Sequence, residues 1–251
     1  MSVSYYFVFI KKVLRYLYHR IILSFKEKKY DGRLKYLFEK HNSNTLIISF
    51  SGMATRKPKY MYMRTLKDVK VDKLFILDDF GYKGSYYWFE NGSDKPLRLT
   101  SGLINTILKN GKYKYVYTIG SSKGGSCAIY YGLMYNVTEV IASACQYHIG
   151  TYLTEPHNKK IFEKMKGHLD TRDFIATLDS MIPNMIIKSR YKTKVHLLFS
   201  KNDPTYHKHI ADLSKDLQTN QIETIEVEAF YKDHGENGPH ISSYLKQKFL
   251  V

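Results

Sequence analysis

The stretch YKYVYTIGSSKGGSCAIYY, Tyr113 to Tyr131, decides how this chain folds. Its first part, Tyr113 to Ile119, is rich in aromatic and β-branched side chains and predicts a strand. Its end opens a run from Gly125 to Tyr135 that predicts a helix. Between them Gly120-Ser121-Ser122-Lys123-Gly124 fits G-x-S-x-G, the sharp strand-to-helix turn called a nucleophile elbow, with Ser122 at its centre. A serine hydroxyl is a weak nucleophile and must be held clear of the chain, beside a base. A turn that does so strains the backbone. Gly120 and Gly124 stand two residues either side of Ser122, where a Cβ would collide with the turning chain. Ser121 is out of register with that spacing.

Working outward, short apolar runs recur on both sides of the elbow. They cover Leu46–Phe50, Lys73–Leu77, Glu139–Ala144, Val195–Phe199 and Thr224–Phe230. Runs of this kind, separated by helical patterns, predict parallel strands covered on both faces. Helices are expected at Ser101–Lys109, Gly125–Tyr135, Thr171–Ser180, His209–Leu217 and His240–Phe249. The alternation predicts an α/β fold with a mostly parallel, doubly wound sheet. Residues 145–189, between the fourth and fifth apolar strands, are too long for a simple crossover and predict extra helices capping the site.

A serine elbow needs a base and an orienting acid, and in α/β-hydrolases these follow in the chain order Ser, Asp or Glu, His. Asp203, in Asn202-Asp203-Pro204, closes the Val195–Phe199 strand. His234, in Lys232-Asp233-His234-Gly235, follows the Thr224–Phe230 run. Catalytic groups in open α/β sheets gather at the carboxyl ends of strands, so three separate loops can converge there. His234 would take the Ser122 proton while Asp203 fixes the imidazole tautomer. His240 is the rival base, but it falls where the last helix should begin. Donors for a developing oxyanion are expected from the main-chain N–H of Lys123 and from Gly52 or Met53, after the first strand. Asp78 and Asp79 close the second strand, where they could bind substrate hydroxyls or simply cap a turn.

The chain has 251 residues, enough for one α/β domain with a full core. Its formal charge of +16 favours anionic partners. That charge is spread along the chain rather than gathered into a nucleic-acid module, which argues against nucleic acid as partner. No phosphate loop, dinucleotide fingerprint or paired C-x-x-C occurs, and the histidines lack metal-ligand spacing, so no metal or other cofactor is expected. Cys127 and Cys145 sit in apolar stretches and are expected to be reduced core residues, as in a cytoplasmic protein. Residues 1–30 carry seven Lys or Arg against one acid, Glu27, among large apolar side chains. They contain no uninterrupted apolar span of membrane length. This segment predicts a basic amphipathic leader helix, lying on the inner face of an anionic membrane or packed on the domain, with 31–251 forming the α/β domain.

Taken together, Ile47 to Gly52, Asp78 to Gly81, Gly120 to Gly125, Asn202-Asp203 and Asp233-His234 resemble a bacterial α/β-hydrolase-like family. It includes capsular polysaccharide biosynthesis proteins of the XcbB/CpsF type. More distantly, the chain is similar to the acyltransferase-like subunit of the accessory Sec glycoprotein export system. The resemblance runs from about Leu46 to the C-terminus, and G-S-S-K-G-G is its most specific part. It implies an α/β-hydrolase fold, a Ser122–Asp203–His234 triad, and acylation or deacylation of cell-surface glycans. Its substrates would be an acyl donor and a glycan. The competing expectation is a non-catalytic scaffold of a membrane-associated polysaccharide or export complex.

Overall fold

The computed structural model describes residues 25–53, 57–189 and 193–250. Eight strands form one sheet: β1 (Lys28–Tyr30), β2 (Leu34–Glu39), β3 (Thr45–Phe50), β4 (Asp72–Ile76), β5 (Tyr115–Ser121), β6 (Glu139–Ser143), β7 (Lys194–Phe199) and β8 (Thr224–Glu228). Their order across the sheet is β1-β2-β4-β3-β5-β6-β7-β8. The pairs β1–β2 and β2–β4 are antiparallel, and the other five are parallel. The six strands expected from apolar runs are all present, with ends shifted by a residue or two. The helices are α1 (Lys95–Asn110), α2 (Lys123–Met134), α3 (Ile149–Thr154), α4 (Lys159–Lys166), α5 (Thr171–Lys188), α6 (Ala211–Thr219) and α7 (Asn237–Phe249).

Alternation along β3 shows why the sheet is covered twice. Leu46, Ile48 and Phe50 enter one apolar cluster with residues of α1, α2, α5 and α6, whereas Ile47 enters a second with Ile241 and Leu245 of α7. Both faces are dry, so the strand reads as continuously apolar. Helix α2 is buried along almost its whole length, from Lys123 to Leu133, which is why its sequence lacks a polar face.

Two expectations are corrected here. The boundary at residue 30 is wrong, because Lys28–Tyr30 is not helical. It pairs with β2 through a turn in which Asp31 and Gly32 both have positive φ, and Arg33 N–H donates to the Tyr30 carbonyl at 3.1 Å. That is the backbone of a tight hairpin, for which Asp-Gly is well suited. Helix α5 does not stop at Ser180. It continues through Pro183 to Lys188, anchored by buried Phe174, Leu178, Ile182 and Ile186 at four-residue spacing. Residues 1–24 of the expected leader lie outside the described residues. Among the described residues, no helix is long and apolar enough to cross a membrane.

Candidate active site

The turn from β5 into α2 takes the form expected of a nucleophile elbow. Ser122 has φ 52° and ψ −129°, a left-handed conformation that a side-chain-bearing residue adopts only under constraint. The constraint comes from both sides: Ser122 N–H donates to the Ser143 carbonyl of β6 at 2.8 Å, and its own carbonyl accepts from Gly125 N–H at 2.8 Å. A Cβ on Gly120 would be driven into the Gly124 carbonyl, and one on Gly124 would stand 2.8 Å from the Phe50 carbonyl oxygen. Both glycines are therefore demanded by close backbone approach.

Three loops at the carboxyl ends of β5, β7 and β8 meet at the serine. His234 Nε2 lies 2.9 Å from Ser122 Oγ, and His234 Nδ1 lies 3.1 Å from Asp203 Oδ2. With Nδ1–H donating to the carboxylate, Nε2 is left to accept the serine proton. His240 makes no such contact. It lies in the first turn of α7, its ring 5.2 Å from that of Tyr231.

The two distal loops are tied together before they reach the serine. Ser200 Oγ donates to the Tyr231 carbonyl at 2.6 Å and accepts from Tyr231 N–H at 3.3 Å, joining the loop after β7 to the loop after β8. Asp203 is buried and His234 partly exposed. Burial alone would raise the Asp203 carboxyl, but hydrogen bonds from His234 and Thr205 hold it below the ordinary carboxylate value. Thr205 donates its N–H to Asp203 Oδ1 at 2.9 Å, and its hydroxyl stands 3.1 Å from His234 Nδ1. A capping box between Asp233 and Glu236 fixes the single 3-10 turn, His234–Glu236, that carries the imidazole.

Lys123 contributes in two ways. It is the first residue of α2, so its main-chain N–H has no intrahelical partner and remains available as a donor. Its side chain, fully buried, forms an ion pair with Asp78, itself fully buried. Asp78 also accepts from Ser85 N–H at 2.8 Å, Ser85 Oγ at 3.3 Å and Tyr87 N–H at 3.3 Å. Asp79 instead bonds Arg33 at 2.6 Å and Lys35 at 2.8 Å. Both acids are thus engaged within the fold, Asp79 in ion pairs and Asp78 in an ion pair that also holds the loop after β4. Gly52 follows β3 beside the elbow, where a Cβ would lie 3.7 Å from the Ser121 carbonyl oxygen. Met53 follows it, packed against the core.

Sequence reading missed Gln146, Thr205, Ser200 and the Lys123 side chain. Gln146 is buried just beyond β6, and its Nε2 donates to Ser122 Oγ at 3.1 Å. Its one legible signal was position, a polar residue just past the carboxyl end of a central strand. Residues 145–189 carry α3, α4 and α5. Among the described residues no group of three or more His, Cys, Asp or Glu is placed to hold a metal ion. Cys127 and Cys145 are both buried and free.

No family profile matches this chain, and no curated protein matches it in sequence. Solved structures do match in fold. The capsule O-acetyltransferase of Neisseria meningitidis serogroup A superposes with a TM-score of 0.75 at 23% identity, covering 90% of this chain and 94% of that one. A histidine-to-alanine variant of it, solved in complex with CoA, gives 0.69 at 22% identity, over 89% of this chain and 94% of that one. The Glycosylation Associate Protein complex from Streptococcus agalactiae gives 0.72 at 16% identity, over 89% of this chain and 45% of that one. FphF, a fluorophosphonate-binding serine hydrolase of Staphylococcus aureus, gives 0.64 at 12% identity, over 85% of this chain and 91% of that one. The α/β-hydrolase fold expected from the sequence is borne out by these likenesses and by the strand order.

Proposed function

We propose that this chain is a serine-dependent acyl-transfer enzyme acting on bacterial surface polysaccharide or a related glycan. The observation that carries the reading is the Ser122 Oγ–His234 Nε2 distance of 2.9 Å, on a serine held at positive φ with Asp203 behind the imidazole. In the first half-reaction the Ser122 O–H proton passes to His234 Nε2 as Oγ bonds to the acyl carbonyl carbon. The main-chain N–H of Lys123, with that of Gly52 or Met53, receives the oxyanion. Collapse breaks the bond to the leaving group, which departs with the proton from His234. In the second half an acceptor hydroxyl gives its proton to His234 and attacks the acyl carbon. Ser122 Oγ then leaves and recovers the proton.

A water acceptor makes this an esterase, and a glycan hydroxyl makes it an O-acyltransferase. The greater likeness to a capsule O-acetyltransferase than to a serine hydrolase supports transfer, and the CoA complex of that neighbour suggests an acyl thioester as donor. The basic residues of positions 1–30 would serve to hold the enzyme at an anionic membrane face, near its glycan.

A fluorophosphonate probe tests the reading. The wild type is expected to become labelled, and Ser122→Ala to resist labelling with an unchanged circular dichroism spectrum. An unlabelled wild type would indicate the non-catalytic scaffold, and a labelled Ser122→Ala would move the nucleophile elsewhere.

A further inference from the structure

Ser122 Oγ has two nitrogen neighbours, and one of them plays no part in a Ser–His–Asp triad. His234 Nε2 is an acceptor at 2.9 Å, and Gln146 Nε2 is a donor at 3.1 Å. Gln146 is buried, and it is fixed at three points. Its N–H donates to Ser126 Oγ at 3.0 Å, and its carbonyl accepts from the same hydroxyl at 2.7 Å, which ties its backbone to the first turn of α2. Its Oε1 accepts from the Tyr86 hydroxyl at 3.3 Å. That hydroxyl keeps its proton, because burial pushes Tyr86 well above its ordinary range. With Oε1 accepting from Tyr86, the amide presents its NH2 to the serine.

We infer that Gln146 is a further catalytic residue, whose side-chain amide donates to Ser122 Oγ and carries part of the negative charge that oxygen develops. The inference rests on the acyl-transfer reading of Ser122. A donor filling one lone pair leaves the serine's own proton directed at His234. As that proton leaves ahead of full Oγ–C bonding, negative charge builds transiently on Oγ, and it builds there again as the same bond breaks in the second half-reaction. One fixed amide therefore assists both halves.

This role is separate from the oxyanion hole. In the sheet β5 lies between β3 and β6. Gly52 and Met53 follow β3, whereas Gln146 follows β6, so the amide reaches the elbow from the opposite flank to the Gly52–Met53 donors. Its target is the attacking oxygen, not the acyl oxygen.

Gln146→Glu tests this, because it keeps the shape of the side chain while replacing the donor with an acceptor. Both fluorophosphonate labelling and hydrolysis of p-nitrophenyl acetate would be followed. The expected result is a fall of about 10²- to 10³-fold in the labelling rate and in kcat, with little change in KM and a wild-type circular dichroism spectrum, as for loss of one fixed donor in an active site. Tyr86→Phe, which keeps the amide but frees it to rotate, should give a smaller loss in the same two rates. A Gln146→Glu variant labelled at the wild-type rate overturns the inference. So does a loss confined to KM. If the glutamate variant does not fold, undiminished rates in Tyr86→Phe overturn it instead. Failure of the underlying reading is told apart by the wild type itself, which would then show no labelling at Ser122.

Discussion

Replacing Asp78 by Asn should destabilise the protein more than replacing its partner Lys123 by Met. The two side chains form an ion pair buried to zero exposure directly behind the elbow. Removing one member of such a pair leaves an uncompensated charge away from water, at a cost of about 3–5 kcal/mol. The two halves of the pair are not equivalent. Without Lys123, the Asp78 carboxylate keeps three donors, from Ser85 N–H, Ser85 Oγ and Tyr87 N–H. Without the Asp78 charge, the ammonium keeps only neutral partners, the amide oxygen of the substituted Asn and the face of Tyr87, its Nζ 4.9 Å from the ring centre. Asp78→Asn therefore falls at the full cost, and Lys123→Met at about 1–3 kcal/mol, the price of imperfect satisfaction of a buried group that stays hydrogen-bonded. For a chain of this size each kcal/mol moves the melting temperature by about 2–4 °C, so Asp78→Asn should melt about 6–20 °C below wild type. The double variant removes both charges and should be more stable than Asp78→Asn alone, with a coupling of about 1–3 kcal/mol. Thermal and guanidinium unfolding of the four proteins measure all of this. Equal losses in the two single variants, or a double variant whose loss is their sum, would refute the reasoning.

His234→Ala should lower fluorophosphonate labelling about 10⁴-fold or more, as loss of a triad base does, whereas His240→Ala should leave it near wild type. The reverse ranking in the same assay would exchange their roles. Gly120→Ala should cost about 3 kcal/mol or more, since its Cβ collides with the Gly124 carbonyl, while Gly52→Ala meets only a 3.7 Å contact and should unfold like wild type. Matching denaturation midpoints for the two would contradict the packing seen at the elbow. His209, buried with Nε2 lacking a partner among the described residues, is lowered to about 4, first by burial and then by neighbouring His148. A histidine depressed below its unfolded value of about 6.5 contributes fully above that pH, and its contribution is lost as pH falls toward 4. Wild-type stability should therefore drop relative to His209→Gln by up to about 3 kcal/mol between pH 7 and 4, read from denaturation curves across that range, and parallel profiles would exclude the effect.

What could be read in the sequence follows from how each feature leaves its mark. Strands β3 to β7 left contiguous runs because most of their residues are buried on both faces. The antiparallel pair β1–β2 left none, because only Leu34 and Leu37 of β2 are buried and β1 is a mostly exposed edge of lysines. Its trace was instead the Asp31-Gly32 turn, outweighed by the basic residues around it. The elbow was legible because a steric demand on two backbone positions admits little but glycine. Asp203 and His234 were legible as triad candidates because the proposed chemistry constrains their order and their place at strand ends. Gln146, Thr205 and Ser200 obey no such rule. Each acts through a hydrogen bond to a partner far along the chain, Ser122, His234 and Tyr231, and any of several polar residues could occupy those positions in the sequence alone. Lys123 is the sharpest case. In G-x-S-x-G the residue after the serine is unspecified, and a lysine there reads as a solvated charge. It is buried because the chain after β4 brings Asp78 beneath the elbow, and Gly84, at φ 102°, leaves room where a Cβ would stand 2.8 Å from Nζ. The proposed nucleophile's position could thus be found locally, while the groups that hold it still become visible only once the loops after β4, β6, β7 and β8 have met around it.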